Sequence, residues 1–209
     1  MTHFICISGA ARHGKDTSAQ ILKEELENRG YSTLVIHYAD LLKFICEKFF
    51  GWDGNKDEYG RSLLQHVGTD CVRANDPDYW VDFVAQIVRM FPEEWDYVIV
   101  PDTRFPNEIS RIADAGFPST HIRITREGFE NNLTAEQKSH KSETALNNTA
   151  PDVWINNTTL EALRSEVVKA CDLIVKEKIE CHEYISRPSA QDNAVQLSIW
   201  DNINEVTKV

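Results

Sequence analysis

The first residues whose types and spacing indicate chemistry form a loop near the N terminus, Gly9-Ala-Ala-Arg12-His13-Gly14-Lys15-Asp16-Thr17. The spelling G-x-x-x-x-G-K is typical of a loop whose backbone N–H groups surround phosphate oxygens while the lysine reaches the outer phosphates. An apolar run precedes the loop and a helical pattern follows it, as this mechanism requires. The loop therefore predicts a phosphate-binding site. The alternative is a glycine-rich turn in another kind of α/β protein.

Asp16 stands where such loops usually carry a Ser or Thr hydroxyl for Mg²⁺, and Thr17 follows one place later. A carboxylate is longer than a hydroxyl and is charged, so we expect Asp16 to hold Mg²⁺ mainly through one of the waters that the ion retains. The alternative is that Asp16 only stabilises the first turn of the following helix, where a negative charge is favourable with or without a metal.

A second constellation follows the apolar run Tyr97–Val100, where the chain continues Pro101-Asp102-Thr103-Arg104. A buried strand that ends in Asp is the layout in which a carboxylate holds Mg²⁺ directly or through water. It also places an anion and a cation at the carboxyl edge of a sheet, where α/β folds bind ligands. The alternative is a structural ion pair.

The third constellation is a helical pattern between Arg61 and Arg73. Its apolar members are expected to face the core: Leu64, Val67 and Cys71. Gln65, Thr69 and Arg73 share a second face because they are spaced by four residues, so they could line one pocket. The alternative for this second face is simple exposure to solvent.

Short apolar runs alternate with helical patterns along most of the chain. Five runs predict strands: 4–7, 33–37, 97–100, about 120–124 and 153–155. The helix after Asp76-Pro77 is expected to bury Trp80, Phe83, Val84, Ile87 and Phe91, and the capping-box spelling Thr158-x-x-Glu161 predicts the start of the last helix. Strands separated by helices predict an α/β fold, a parallel five-stranded sheet with helices on both faces.

Two segments do not fit the repeating pattern of strand and helix. The polar stretch 126–150 is long for a loop in a compact domain and predicts a lid. Residues 180–209 show little periodicity and are expected to be an appendage of unknown role. We therefore expect one domain over 1–179, in keeping with roughly 150 residues per domain.

Composition limits the partners and the compartment. The net charge of −11 argues against binding to nucleic-acid polymers. Five widely spaced cysteines without a C-x-x-C motif indicate reduced thiols, and no apolar run is long enough for a signal sequence or a membrane span. We expect a cytoplasmic protein that binds neither nucleic acid nor membrane; a homodimer is one possibility.

Taken together, these motifs resemble those of the deoxynucleoside monophosphate kinases, the phage-type branch of the P-loop nucleoside monophosphate (NMP) kinases. The resemblance runs from about residue 4 to 176 and is carried by the loop Gly9–Thr17, by 64–70, by Asp78-Tyr79-Trp80 and by 98–104. The spelling G-K-D-T is characteristic of that branch. Phosphomevalonate kinases share the G-K-D loop and dephospho-CoA kinases the general plan, but Gln65-x-x-Gly68-Thr69 favours the nucleotide branch.

The resemblance implies a P-loop kinase fold with NMP-binding helices and a lid insertion. ATP would bind Gly9, Arg12, His13, Gly14, Lys15, Asp16, Thr17 and Asn157. Asn157 could equally be a helix cap. The acceptor would bind Asp40, Lys43, Arg61, Gln65, Gly68, Thr69 and Arg73. Lys15, Asp102, Arg104 and Arg126 would act on the reacting phosphates, with Asp16 and Asp102 as ligands of Mg²⁺. The lid would include Lys138, His140, Lys141, Ser142 and Glu143.

The expected function is ATP-dependent phosphorylation of a (deoxy)nucleoside monophosphate to the diphosphate. The acceptor is already an anion, so the reaction needs cations and Mg²⁺ rather than a general base. The alternatives are a P-loop kinase of another phosphorylated small molecule, similar to phosphomevalonate kinase or dephospho-CoA kinase, or a regulatory nucleotide-binding ATPase. His37, His66 and His121 lie within periodic elements and are expected to be structural.

Overall fold

The protein folds around a five-stranded parallel sheet. The computed structural model describes residues 1–131 and 133–186, with side chains through 176. The strands are β1 (His3–Ser8), β2 (Thr33–Val35), β3 (Tyr97–Val100), β4 (Ser119–Thr125) and β5 (Val153–Asn156). Their order in the sheet is β2-β3-β1-β4-β5, and every adjacent pair is parallel. The predicted α/β fold with a five-stranded parallel sheet is confirmed.

The central strands are apolar along their length because both of their faces are covered. Every residue of β1 and β3 is buried. Phe4, Cys6 and Val98 pack on one face in a cluster with residues of the helices that follow β2 and precede β3. Alternation along β1 turns Ile5 and Ile7 to the opposite face. The parallel register brings the carboxyl ends of all five strands to one edge of the sheet.

The helices connect these strands as the sequence pattern predicts. They are α1 (Lys15–Asn28), α2 (Ala39–Phe50), α3 (Glu58–Gln65), α4 (Tyr79–Met90), α5 (Pro106–Asp114), α6 (Ala135–Ser139), α7 (Lys141–Thr144) and α8 (Leu160–Ser186). A π-helical segment, His66–Arg73, continues α3 directly. In the described part of the chain, no helix is both long and apolar enough to cross a membrane.

The chain divides into two compact units, Met1–Cys171 and Asp172–Val209. The sheet belongs to the first unit, and the described part of the second unit, residues 172–186, is helical. Most of the appendage predicted at 180–209 lies outside the described residues, since these end at 186.

The π-helical segment overturns the prediction for Cys71, which is exposed rather than part of the core. Its backbone bonds run from residue i to i+5 instead of i+4, so a face that is continuous at α-helical spacing is broken here. Val67 and Gly68 are the buried residues of the segment. A Cβ atom on Gly68 would lie 2.6 Å from Leu42 Cδ2, so a larger residue here would require the Leu42 side chain to move.

Two helix predictions need smaller corrections. The buried face of α4 consists of Trp80, Val81, Val84, Ala85 and Val88, while Phe91 is 49% exposed. The predicted stripe is right at positions 80 and 84. Phe83 is partly buried and packs against the core, Ile87 is partly buried, and Phe91 lies just after the end of the helix. The cap of α8 is Thr159, whose Oγ1 accepts from Ala162 N at 3.1 Å, so the helix begins one residue later than the Thr158 capping box predicts.

Candidate active site

The loop between β1 and α1 wraps around the side chain of Lys15. Its ammonium group donates to Gly9 O at 2.8 Å and to Ala10 O at 2.9 Å. Gly9 and Gly14 have φ angles of 148° and 101°, and a Cβ on Gly9 would lie 2.3 Å from Ile124 O, so the loop needs glycine there. Burial, with the charge of Arg104 second, lowers the pKa of Lys15 to about 8. An anion in this loop would stabilise the charged lysine.

Asn157, which follows β5, braces the same loop from the other side. Its Nδ2 donates to His13 O at 2.9 Å, and its backbone N donates to Thr125 O at 2.7 Å. A Cβ on Gly14 would lie 2.7 Å from this amide nitrogen. Asn157 therefore supports the loop backbone and is not the cap of α8.

A cavity of about 430 Å³ opens at the carboxyl edge of the sheet. It brings together eleven of the residues predicted for the site: Arg12, Lys15, Asp16, Lys43, Arg61, Gln65, Gly68, Thr69, Arg73, Asp102 and Arg104. Gly9 and His13 line a second cavity of about 220 Å³ beside the same loop. One cavity thus joins the loop with the helical segment after Arg61, although these lie about fifty residues apart in the sequence.

Five predicted site residues line neither of these two cavities: Gly14, Thr17, Asp40, Arg126 and Asn157. Asp40 accepts a hydrogen bond from Lys43 Nζ at 2.8 Å. The guanidinium of Arg126 stacks over the ring of Phe129, 4.4 Å from its centroid. The sequence placed Arg126 at the end of β4 correctly, but the direction of its side chain depends on the following loop, which spacing does not reveal.

Asp102, at the end of β3, is engaged with the beginning of α2. Its Oδ1 accepts from Tyr38 N at 2.9 Å, and its Oδ2 accepts from Ala39 N at 3.0 Å. The N terminus of a helix favours such a negative charge. Asp102 therefore links the end of a central strand to the helix that carries Leu42 and Lys43 into the cavity.

His37 lines the cavity between two carboxylates, a position that sequence reasoning missed. Its Nε2 lies 3.3 Å from Asp16 Oδ1, and its Nδ1 lies 3.5 Å from Asp40 Oδ2. The hydrogen bond lowers the pKa of Asp16 and raises the pKa of His37. The Asp16 side chain is nevertheless 86% exposed, so one of its oxygens is open to a ligand. The place of His37 just after β2, at the ligand-binding edge, was the available signal.

Glu108 is a second residue that the sequence analysis missed. It is 1% exposed, lines the cavity and forms an ion pair with Arg73. Its Oε2 also accepts from the backbone N atoms of Arg104, at 2.6 Å, and Phe105, at 3.0 Å. Burial raises the pKa of Glu108, while the charge of Arg73 opposes that shift. The position of Glu108 in the first turn of α5 resembles an ordinary helix cap, which hides its place in the cavity.

The remaining residues that line the larger cavity are of two kinds, cationic and aromatic. Lys43, Lys56 and Arg61 contribute cations, and burial, with the charge of Lys43 second, lowers the pKa of Lys56. Lys56 was not predicted because the polar connector 53–60 gives no periodic signal. Trp80 contributes an aromatic wall, and its Nε1 donates to Gly68 O at 3.0 Å. Such a cavity suits a ligand with both an anionic part and a planar apolar part.

The segment that contains α6 and α7 reaches the cavity through Leu133, Ser142 and Glu143. Arg104 Nη1 donates to Ser142 O at 3.0 Å and pairs with the Glu143 carboxylate. His140 Nε2 lies 3.6 Å from Asp70 Oδ1 in the π-helical segment. This segment therefore contacts both the end of β3 and the π-helical segment. Of the predicted lid residues, Lys138 and Lys141 are exposed.

Among the residues that the structure describes, no group of three or more His, Cys, Asp or Glu side chains is arranged to hold a metal ion. Asp16 and Asp102 both line the larger cavity. Mg²⁺ usually takes only one or two carboxylates and completes its shell with water and substrate phosphates. The two carboxylates are thus compatible with an ion that binds together with a phosphate ligand.

Comparison with known proteins identifies relatives of this chain. The chain is 36% identical over 110 residues to the deoxynucleotide monophosphate kinase of Enterobacteria phage T4. The matched region covers 51% of this chain and 43% of the relative. It is 31% identical over 136 residues to the uncharacterized protein ORF77 of Ictalurid herpesvirus 1 (strain Auburn), covering 63% and 56%. The matched part thus spans about half the length of these curated relatives.

Among solved structures, an unliganded sugar kinase from Janibacter sp. HTCC2649 shares the fold, with a TM-score of 0.51 and 12% identity over 82% of this chain and 95% of that one. The model of the deoxynucleotide monophosphate kinase family matches residues 36–167, from just after β2 to the middle of α8. That range includes Asp102, Arg104 and the whole segment from Arg61 to Arg73. The chain belongs to the deoxynucleotide monophosphate kinase family.

Proposed function

We propose that the protein transfers the γ-phosphoryl group of ATP to a (deoxy)nucleoside monophosphate, which yields ADP and the (deoxy)nucleoside diphosphate. An oxygen of the acceptor phosphate forms a bond to the γ-phosphorus as the bond from that phosphorus to the β–γ bridging oxygen breaks. The single observation that carries this proposal is the shared cavity, which the phosphate loop lines through Lys15 and the family-matched segment lines through Arg61 to Arg73.

The donor side of the proposal depends on the loop Gly9–Thr17. Lys15 already bonds two carbonyl groups of the loop, so its ammonium is held where the loop closes. Transferred charge spreads over the phosphoryl oxygens, and fixed cations stabilise it more than mobile solvent does. Arg12, Lys15 and Arg104 are cations that line the cavity on this side, and Arg104 also lowers the pKa of Lys15.

The acceptor side of the proposal depends on α2, α3 and the π-helical segment. Lys43, Lys56 and Arg61 supply positive charge for the acceptor phosphate. Arg73 is neutralised by Glu108 and stacked 4.2 Å over Phe105, so we assign it with Gln65 and Thr69 to the nucleoside part instead. Asp102 holds the start of α2 and thereby positions Lys43.

Mg²⁺ belongs to the proposal because the residues present fit it. Asp16 offers an exposed carboxylate, and each oxygen of Asp102 accepts only one backbone N–H among the hydrogen bonds described above. Both residues would hold the ion through its waters. When bound, Mg²⁺ neutralises charge on the β- and γ-phosphates of ATP. The free thiols of Cys6, Cys46 and Cys71 support our inference of a cytoplasmic enzyme.

A coupled assay for ADP tests the proposal. The purified chain is incubated with ATP, Mg²⁺ and each of dAMP, dGMP, dCMP, dTMP and their ribose counterparts. We expect ADP to form only when at least one of these monophosphates is present, and Arg61→Ala to raise the KM for that acceptor more than the KM for ATP. ATP turnover without any acceptor would instead favour a regulatory ATPase. Turnover only with another phosphorylated small molecule would favour a P-loop kinase that acts on that class of substrate.

A further inference from the structure

The two cavities beside the phosphate loop share a wall. Arg104, Ser142 and Glu143 line both the cavity of about 430 Å³ and the cavity of about 220 Å³. The first cavity also contains Arg61 and Arg73. Residues of the loop line both cavities, Lys15 and Asp16 the first and Gly9 and His13 the second. A group that passes from a donor on the loop to an acceptor near Arg61 would meet this wall.

The wall contains one anion, Glu143. Its side chain is only 11% exposed, and it pairs with Arg104, whose Nη1 also donates to Ser142 O at 3.0 Å. The negative charge of Glu143 acts on Lys15 as well, since it opposes the lowering of the pKa of that lysine. The carboxylate is therefore paired with Arg104 and lines the same cavity as Lys15.

A carboxylate and the terminal phosphate of a nucleotide bind to the same kinds of cationic side chain. Both are compact oxyanions that accept charge-assisted hydrogen bonds from lysine and arginine. Two such anions do not share the same two cations without strong repulsion in a partly buried site. Any terminal phosphoryl group that reaches Lys15 and Arg104 must therefore displace Glu143.

We propose that Glu143 occupies the position of the transferred phosphoryl group in the nucleotide-free protein, so that the γ-phosphate of ATP has to displace it while ADP does not. This inference rests on the proposed function. It makes Glu143 a residue that lowers the affinity for a triphosphate relative to a diphosphate. When Arg104 exchanges its ion pair with Glu143 for one with phosphate, α7, which carries Glu143, loses this contact. Binding of the triphosphate is thereby communicated to α7.

Isothermal titration with ADP and with the β,γ-imido analogue of ATP tests this assignment. Glu143→Gln keeps the shape of the side chain and removes its charge. We expect the analogue to bind roughly tenfold more tightly to this variant, which is about 1.4 kcal/mol, and the affinity for ADP to change by less than about twofold. Glu136→Gln, an exposed carboxylate of the same segment, is the matched control and should change neither affinity.

The possible failures are distinguishable. If the wild-type protein binds neither nucleotide, the proposed function fails and this inference fails with it. If it binds both and Glu143→Gln tightens both equally, Glu143 acts only as a general negative charge and the inference alone is overturned. Weaker binding of the analogue by the variant would show that Glu143 assists binding, which also contradicts the inference. Glu143→Ala should reproduce the altered ratio, because it removes the same charge.

Discussion

Lys15 is the residue at which burial and function conflict most directly. Its ammonium group is nearly enclosed and bonds two carbonyl oxygens, yet burial disfavours its charge. An apolar side chain of similar length would remove that electrostatic cost and keep most of the packing. A buried lysine whose ammonium group bonds two neutral carbonyl oxygens is better explained by a ligand than by the stability of the fold.

We therefore predict that Lys15→Met folds with an unchanged or higher melting temperature but loses phosphoryl transfer by about two to three orders of magnitude, the usual cost of removing a fixed charge from a transition state. Thermal unfolding and the coupled assay measure the two effects. Turnover near the wild-type rate in the folded variant would contradict the assignment of the phosphate loop.

Asp16 gives a prediction that separates metal binding from helix stabilisation. Its side chain is 86% exposed and lies in the first turn of α1. Asp16→Asn keeps the shape and removes the charge, so we expect the Mg²⁺ concentration for half-maximal rate to rise several-fold while the melting temperature changes little. An unchanged Mg²⁺ dependence together with a lower melting temperature would mean that Asp16 only stabilises the helix.

Elements with a continuous apolar pattern were predictable, and those whose geometry depends on a partner were not. β1 and β3 followed from their unbroken apolar runs at 4–7 and 97–100. The π-helical segment did not follow, because nothing in the spelling His66–Arg73 distinguishes i to i+5 bonding from i to i+4. Gln65, Thr69 and Arg73 reach the cavity despite this change, as their spacing predicted.

Within the site, the residues recoverable from sequence were those with a motif. Lys15 and Asp16 belong to the phosphate loop with its G-x-x-x-x-G-K motif, and Asp102 follows a predicted strand. His37 and Glu108 were missed because each acquires its role through partners distant in the chain: Asp16 for His37, and Arg73 for Glu108. Spacing along one element cannot reveal such pairs.

β4 carries a titratable residue that links the stability of the sheet to pH. His121 is 2% exposed, its Nε2 lies 2.7 Å from Ser8 Oγ, and burial lowers its pKa below the ordinary 6.5. The unfolded chain then binds more protons than the folded one between the lowered pKa and 6.5. Stability contributed by neutral His121 is present above pH 6.5 and is lost as the pH falls through this window.

We predict that the free energy of unfolding falls less between about pH 7.5 and about pH 5.5 in His121→Gln than in the wild-type protein, because the variant has no imidazole to protonate on unfolding. Urea titrations at the two pH values measure the difference. His66→Gln, at an exposed position, is the control. An equal fall in both variants would show that His121 does not contribute to the acid sensitivity.

At the scale of the whole molecule, the net charge is negative, whereas one cavity collects positive side chains. The chain carries a net charge of −11, yet Lys43, Lys56 and Arg61 meet in one cavity. The predicted lid, 126–150, contacts this cavity through Arg104 with Glu143 and contacts the π-helical segment through His140 with Asp70. These polar contacts connect the described part of this segment to the cavity and to the π-helical segment.

We predict that the lid exchanges its amide hydrogens faster than the β-sheet in the free protein and becomes more protected when both nucleotides are bound, since closure excludes water from the transferred group. Hydrogen–deuterium exchange with mass spectrometry follows peptides 126–131 and 133–150, with β1 peptides as the internal reference. Equal protection of these peptides in free and doubly liganded protein would argue against a lid.

The most direct test of the central claim is the stoichiometry of products observed by ³¹P NMR. The protein is incubated with ATP, Mg²⁺ and the monophosphate that is most active in the acceptor panel. Direct transfer predicts that ADP and the nucleoside diphosphate of the acceptor appear in a one-to-one ratio, without inorganic phosphate. Lys15→Met should form both products about two to three orders of magnitude more slowly. Release of inorganic phosphate in place of the acceptor diphosphate would contradict the account.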